Sequence, residues 1–277
     1  QARQIPKIPQ NPEWNEFQGR EDVQRIFEND RYLPVGYDTI SAEIFSLDLL
    51  GNYCFLISGK SRTGKHNCLK AMMNSAKHKG GELIIIEFNG WKLKKVAEDV
   101  QALYIDSYEE YMDFMSRFVP VFQSRNRLKK SLISQGLEED AVYTQMSKEK
   151  PYYIFIADLV EYTKLMHSEQ GVKDNLCGAM ANLFDKGFLH NIYFFACMNQ
   201  DQRADVMGKE VFEKFISGKA GIHMGGNVAA QRILEFTGMP FGEQTRSEKP
   251  GIGLIASTDG HKYHRIVIPL VKGSTVL

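Results

Sequence analysis

An α/β fold, with a mostly parallel central sheet flanked by helices, is predicted by three features of this 277-residue chain. Short continuous apolar runs recur, YCFLIS at 53–58, LIIIEF at 83–88, YYIFIA at 152–157 and IYFFAC at 192–197. Their length suits strands buried on both faces, where the alternation of a half-exposed strand is lost. Between them lie helical stretches long enough to be right-handed crossovers. The first run also feeds a glycine-rich turn and then a helical pattern, which places that turn at the carboxyl edge of the sheet, where such folds bind ligands.

The elements follow in order. Residues 1–18, QARQIPKIPQNPEWNEFQ, hold three prolines and little periodicity, so an extended arm or linker is expected there, and one domain over 19–277. A short helix is expected over 20–28. LPVGYD then reads as a turn into a half-buried strand within AEIFSLDL, which Gly51 and Asn52 end. Next come a strand at 53–58, a helix at 65–77, and strands at 83–88 and 102–105. Ser107 and Glu110 form a capping-box pattern that opens a helix to about residue 132, with Pro120 as a possible kink. The polar stretch 136–150 reads as a mobile insertion. YYIFIAD and NIYFFACMN follow as buried parallel strands with helices between. GIHMGG, PGIGLIAS and KYHRIVIPL read as edge strands and a hairpin around Asp259 and Gly260.

Composition narrows the functional classes. Lys+Arg and Asp+Glu are both 34, so no global positive field draws the chain to nucleic acid or anionic lipid. Cys54, Cys68, Cys177 and Cys197 are far apart without a CxxC pair, which argues for reduced thiols in the core rather than disulfides or zinc. No apolar run approaches the roughly 18 residues that span a bilayer. The chain starts at Gln1 rather than Met, so it is expected to be part of something longer.

The most informative segment is GKSRTGKH, Gly59, Lys60, Ser61, Arg62, Thr63, Gly64, Lys65 and His66. It fits G-x-x-x-x-G-K-[ST] except at its last position. A strand before it and a helix after it bring loop amides and a helix N-terminus together where phosphates sit, with Lys65 as a point charge on them. His66 replaces the hydroxyl that normally ligates Mg²⁺, and imidazole suits that hard, octahedral cation poorly. Two outcomes follow: a protonated His66 touching phosphate directly, or an inactive loop.

A second departure stands at the end of YYIFIAD. Asp158 is placed to reach a metal-bound water, but Leu159 occupies the position where hydrolytic members of such folds carry Glu. Glu161 projects from another direction. Losing a positioned base removes ~10²- to 10⁴-fold in rate, so turnover is expected to be slow or absent. Asp158 and Glu161 are equally readable as a helix cap and first-turn acid. At the end of NIYFFACMNQ, Gln200 is a candidate sensor of the terminal phosphate or a cap for the turn after it.

Other candidates are weaker. SRNRLKK, 124–130, is a basic cluster that reads as a solvated helix face. Tyr108, Tyr111, Phe114 and Phe118 share one helix stripe, read as core, with a peptide groove as the minor alternative. His261 and His264 lie three apart on a strand and face opposite sides, so no metal site is expected.

With these elements placed, the chain resembles the FtsK/SpoIIIE family of RecA-like P-loop motor ATPases over most of its length. The resemblance rests on LPVGYD, FSLDLLGNYCFLISGKSRTGKHNCLKAMM, IIIEFNG, PYYIFIADLVEYTKLM, IYFFACMNQ, KAGIHMGGNVAAQRILEFTGM and PGIGLIA. Gly59, Gly64, Lys65, Asp158 and Gln200 match the family pattern; His66, Leu159 and Asn199 depart from it. Within the family it looks most like the terminal ATPase module of the type VII secretion motor. That implies a membrane-anchored parent with further ATPase domains, hexameric in the intact parent, on the cytoplasmic face of a bacterial membrane. It also implies recognition of WXG100-type export substrates, weak ATP binding with Mg²⁺ only alongside ATP, and coupling to active neighbouring domains. The alternative is an active DNA-translocating ATPase.

Overall fold

The computed structural model describes residues 8–236, 238–256 and 263–272. Two short helices, α1 (Trp14–Gln18) and α2 (Glu21–Phe27), lead to strands β1 (Tyr32–Asp38), β2 (Ile44–Asp48) and β3 (Cys54–Gly59). Then come α3 (Lys65–Lys79), β4 (Glu82–Ile86), α4 (Lys94–Val100), β5 (Leu103–Ile105), α5 (Tyr108–Ser134), α6 (Glu139–Met146) and β6 (Tyr152–Ile156). The chain continues through α7 (Leu159–Met166), α8 (Glu169–Lys173), α9 (Leu176–Lys186), β7 (Ile192–Asn199), α10 (Glu210–Ile216) and β8 (Gly221–Gly226). It closes with α11 (Phe241–Thr245), β9 (Glu248–Ala256) and β10 (Tyr263–Val267).

All ten strands form one sheet in the order β2, β1, β10, β9, β8, β3, β7, β6, β4, β5. Strands β8, β3, β7, β6, β4 and β5 are mutually parallel, and β9, β10, β1 and β2 extend the sheet by antiparallel pairing. This is the expected α/β, P-loop NTPase-like architecture with a C-terminal antiparallel pair, β9 and β10; the expected hairpin turn at Asp259 and Gly260 lies outside the described residues.

The strands alternate between two apolar cores. Phe55, Ile57, Tyr153, Phe155 and Phe195 face a core shared with α3, whereas Leu56, Ile154, Ile156 and Phe194 face one shared with α5, α7, α9 and α10. Both faces of the central strands are therefore apolar, which is why their sequence shows no alternation.

Several expectations need correction. Tyr32–Asp38, read as a turn, is strand β1, paired with β2 on one side and β10 on the other. Its Pro34 adjoins an irregularity in the β2 register, a position where a residue without an N–H is tolerated. GIHMGG is not an edge strand: β8 lies inside the sheet between β3 and β9, with Gly221 pressed against the Leu56 carbonyl. Residues 139–146 form α6, which buries Val142 and Met146 rather than standing as a loose insertion. Trp14 and Phe17 of α1 are buried, so the arm expected to be extended up to residue 18 is helical in its last five residues.

Helix α5 runs unbroken through Pro120. Its start is as expected, with Ser107 Oγ accepting the Glu110 amide at 3.3 Å. Its basic cluster is not simply a solvated face. Arg125 is buried and donates through Nη1 to the carbonyls of His190 and Asn191, both at 3.0 Å, and through Nη2 to that of Lys150 at 2.5 Å. Lys129 reaches the carbonyls of Lys186 at 3.0 Å and Phe188 at 2.7 Å. The aromatic stripe of Tyr111, Phe114 and Phe118 lies in the core. No described helix is long and apolar enough to cross a membrane.

Candidate functional site

Strand β3 ends at Gly59, and the chain turns through residues 60–64 into α3. At Gly59 a side chain would place Cβ 2.4 Å from the Met224 carbonyl oxygen and 2.8 Å from Thr63 Oγ1, so only glycine lets the loop pass under β8. Gly64 caps α3 in the left-handed region at φ 95°, with Gly251 closing in from β9. No side chain caps α3 and its first turn holds no acid, so the free amides and the positive end of the helix dipole face the loop unopposed. The C-terminal strands brace this cradle. The Gly251 amide donates to Thr63 O at 3.0 Å, and Asn67 bonds both Pro269 O and the Val271 amide at 3.0 Å.

Lys65 is turned inward, 8% exposed, and its Nζ donates to Lys60 O at 2.5 Å. Thr63 Oγ1 donates to the same carbonyl at 2.9 Å. Burial lowers the Lys65 pKa, opposed by the fields of Cys197, Asp158 and Asp201. The loop thus carries its own lysine folded onto its own backbone, a geometry a phosphate would displace.

His66 stands at the first turn of α3 with its pKa pushed down to about 4, first by burial and then by the charges of Lys92, Lys65 and Lys70. Without a bound anion it is therefore neutral near pH 7. Lys92 comes from the loop after β4. There Glu87, almost fully buried, accepts the amides of Lys92 at 3.0 Å and Leu93 at 2.8 Å and the Tyr104 hydroxyl at 2.8 Å. Leu93 is buried in the core that α3 shares, which holds this loop beside the helix.

The acidic positions are differently employed. Asp158 caps α7, its Oδ1 accepting the amides of Val160 at 2.8 Å and Glu161 at 3.2 Å. Leu159 is fully buried in the core under α7, so its position does not face the loop. Glu161 pairs with Lys164 at 3.2 Å, and Lys164 also holds Asp205 at 3.1 Å. The geometry gives Glu161 a surface ion pair.

At the end of β7, Asn199 rather than Gln200 makes the cap, accepting the Asp201 amide at 3.2 Å. Asn199 Nδ2 also reaches Ser61 Oγ at 3.4 Å, the contact that joins this strand end to the phosphate loop. Gln200 sits at the head of the 3-10 turn Gln200–Asp205 with Oε1 buried and unpartnered. Ser58 Oγ and His223 Nδ1 are likewise buried without partners, on neighbouring strands at the same register and one residue before the loop. The sequence reading set Asn199 aside in favour of Gln200 and did not consider Lys92. Asn199 carried a signal, its place at a strand end, whereas the approach of Lys92 depends on how the β4 loop folds around Glu87.

The residues fit a phosphate group: free helix amides, two loop glycines and nearby ammonium groups converge. They fit a Mg²⁺ ion in octahedral oxygen coordination less well, because His66 offers no oxygen and Asp158, with Oδ1 taken by two amides, has only Oδ2 to give.

No family model and no curated protein matches the chain. Solved structures do. The cytoplasmic domain of EssC superposes with a TM-score of 0.76 at 18% identity, covering 97% of this chain and 49% of that one. Thermomonospora curvata EccC (ATPases 2 and 3), in complex with a signal sequence peptide, gives 0.67 at 14% identity, covering 96% of this chain and 44% of that one. The pCW3 conjugation coupling protein TcpA, solved with ATPγS, gives 0.63 at 15% identity, covering 96% and 71%. This chain therefore spans about half the length of the EssC chain it matches. At these identities the fold is what is shared: the chain has the P-loop ATPase-like fold found in EssC and EccC.

Proposed function

We propose that this chain is a degenerate ATPase module of a type VII secretion motor, one that recognises WXG100-type export substrates and couples their arrival to active ATPase domains of the same parent. In this reading the parent is membrane-anchored, works as a hexamer, and holds the module at the cytoplasmic face of the membrane. Residues 19–277 act as one module. Nucleotide is held weakly through residues 59–66 and is not turned over at a useful rate.

One observation carries the reading. The loop scaffold is kept intact, down to Gly59 beneath β8, while the acidic side chains beside it are committed to capping and surface pairing. A relative of the same fold, EccC, was solved with a signal sequence peptide, which supports peptide recognition as the retained role. Isothermal titration with a C-terminal peptide of a WXG100-type protein is expected to show binding to the isolated chain. Absence of binding, together with ATP turnover lost in Lys65→Ala, would contradict the proposal.

A second reading, a DNA-translocating ATPase, draws on the likeness to the conjugation coupling protein TcpA. It predicts turnover that rises with duplex DNA and falls steeply with salt. The inward commitment of Arg125 and Lys129, two members of the densest basic cluster, counts against it.

A further inference from the structure

We propose that residues 269–271, just after β10, are a strap that couples the first turn of α3 to the chain at Pro12–Trp14, ahead of α1, with the side-chain amide of Asn67 as the coupling contact. The strap is bonded along both edges. In strand-like backbone the carbonyl of one residue and the amide of the second residue after it face one edge, and the groups of the residue between them face the other. Asn67 fills the first edge: Nδ2 donates to Pro269 O and Oδ1 accepts the Val271 amide, both at 3.0 Å. Pro12 and Trp14 fill the second. The Leu270 amide donates to Pro12 O at 2.8 Å and the Trp14 amide to Leu270 O at 2.9 Å, which makes a parallel bridge between Glu13 and Leu270. One side-chain amide thus stands where a neighbouring strand would.

Each end of this relay is anchored. Asn67 is the third residue of α3 and follows Lys65 by two, so it moves with the turn that receives the phosphate loop. A second tie runs to the loop itself, because the Ile268 amide donates to Gly251 O and the Gly251 amide to Thr63 O, both at 3.0 Å. At the other end Trp14 is 2% exposed and packs beside Phe17, and Glu13 pairs with Lys272 at 2.8 Å. Ile268 and Val271 share the core of Trp14 and Phe17. Asparagine can do this because its one planar group both donates and accepts; aspartate could only accept, and alanine does neither. A shift of the first turn of α3 is therefore passed to residues 12–14, and by reciprocity a displacement of residues 12–14 reaches that turn.

Backbone amide exchange followed by NMR, with no ligand added, tests the strap. It compares wild type with Asn67→Ala, Asn67→Asp and Asn74→Ala, the last removing an α3 amide that bonds Lys70 O of its own helix at 2.9 Å. The proposal expects exchange at Trp14 and Leu270, whose amides are not bonded to Asn67, to quicken about tenfold in Asn67→Ala. Asn67→Asp, which keeps the acceptor for Val271, moves them the same way by less, and Asn74→Ala leaves them unchanged. Phe195, in the central strand β7, reports any general loss of stability. Trp91→Phe leaves Trp14 as the sole tryptophan of the two in the chain, and in that background acrylamide quenching of Trp14 rises with Asn67→Ala. Exchange at Trp14 that is unchanged in Asn67→Ala, or quickened no more than at Phe195, would overturn the proposal. Neither result bears on nucleotide binding or peptide recognition.

Discussion

Asp158 Oδ1 accepts the backbone amide of Val160 at 2.8 Å, and this bond gives the acid at the end of β6 a structural task. Replacing Asp158 with Ala removes the α7 cap and is expected to cost about 0.5 to 2 kcal/mol, whereas Asn, an equally good cap, retains most of the stability. Denaturant titration of the two variants checks this. Equal losses in both would show that the charge, not the cap, is what matters.

Restoring an acid next to it should not restore an engine. Leu159 is fully buried beneath α7, so Leu159→Glu places an unpaired carboxylate in an apolar core and is expected to destabilise by about 3 to 5 kcal/mol. Leu159→Met, similar in volume, should cost less than about 1.5 kcal/mol. Thermal melts compare the pair, and a stable Glu variant would place this position in solvent rather than in the core.

Arg125 ties α5 to the β7 edge through three carbonyls. Arg125→Ala leaves the carbonyls of His190, Asn191 and Lys150 without a donor in a buried setting and is expected to cost about 2 to 5 kcal/mol. Lysine, a point donor without the planar fork, should recover only part of that. Full recovery by lysine in chemical denaturation would contradict the forked geometry.

The hydroxyls of Tyr111 and Tyr162 meet at 2.6 Å in the core between α5 and α7. Either single change to Phe strands the other hydroxyl and should cost about 1 to 3 kcal/mol, while the double change should be close to neutral. A double-mutant cycle reads the coupling; simple additivity would refute it.

Acid should weaken the fold in a defined window. His190 and His223 are nearly fully buried, and burial above all pushes the pKa of each down to about 4 from an ordinary 6.5. Between those values the unfolded chain binds more protons than the folded one, so stability is intact above 6.5 and is lost as pH falls towards 4. Each is expected to cost about 3 kcal/mol once the window is crossed. Unfolding titrations across that range in wild type and His223→Gln check the sign, since the variant should lose less on acidification.

The parts legible in sequence were those fixed by local pattern. The apolar runs at 83–86, 152–156 and 192–197 are strands because unbroken hydrophobicity of that length fits a sheet covered on both sides, whereas Glu87 and Phe88, expected to extend the first of them, turn into the loop after β4. GKSRTGKH became the loop because glycine spacing and the flanking elements set its path. What the sequence hid depends on distant partners. GIHMGG looks like an edge, yet β9 pairs along it, and Tyr32–Asp38 is held as a strand by β10 from the far end of the chain. The charge at SRNRLKK looks solvated, yet carbonyls at the end of α9 and the start of β7 draw Arg125 and Lys129 inward. Lys92 and His66 are 26 positions apart, and only the fold of the Glu87 loop brings their charges together.

The central claim, a phosphate loop kept without an engine, is met most directly by measuring phosphate release from the isolated chain with ATP and Mg²⁺, beside Lys65→Ala. The account predicts release at background in both proteins. Sustained release by the wild type that Lys65→Ala abolishes would contradict it.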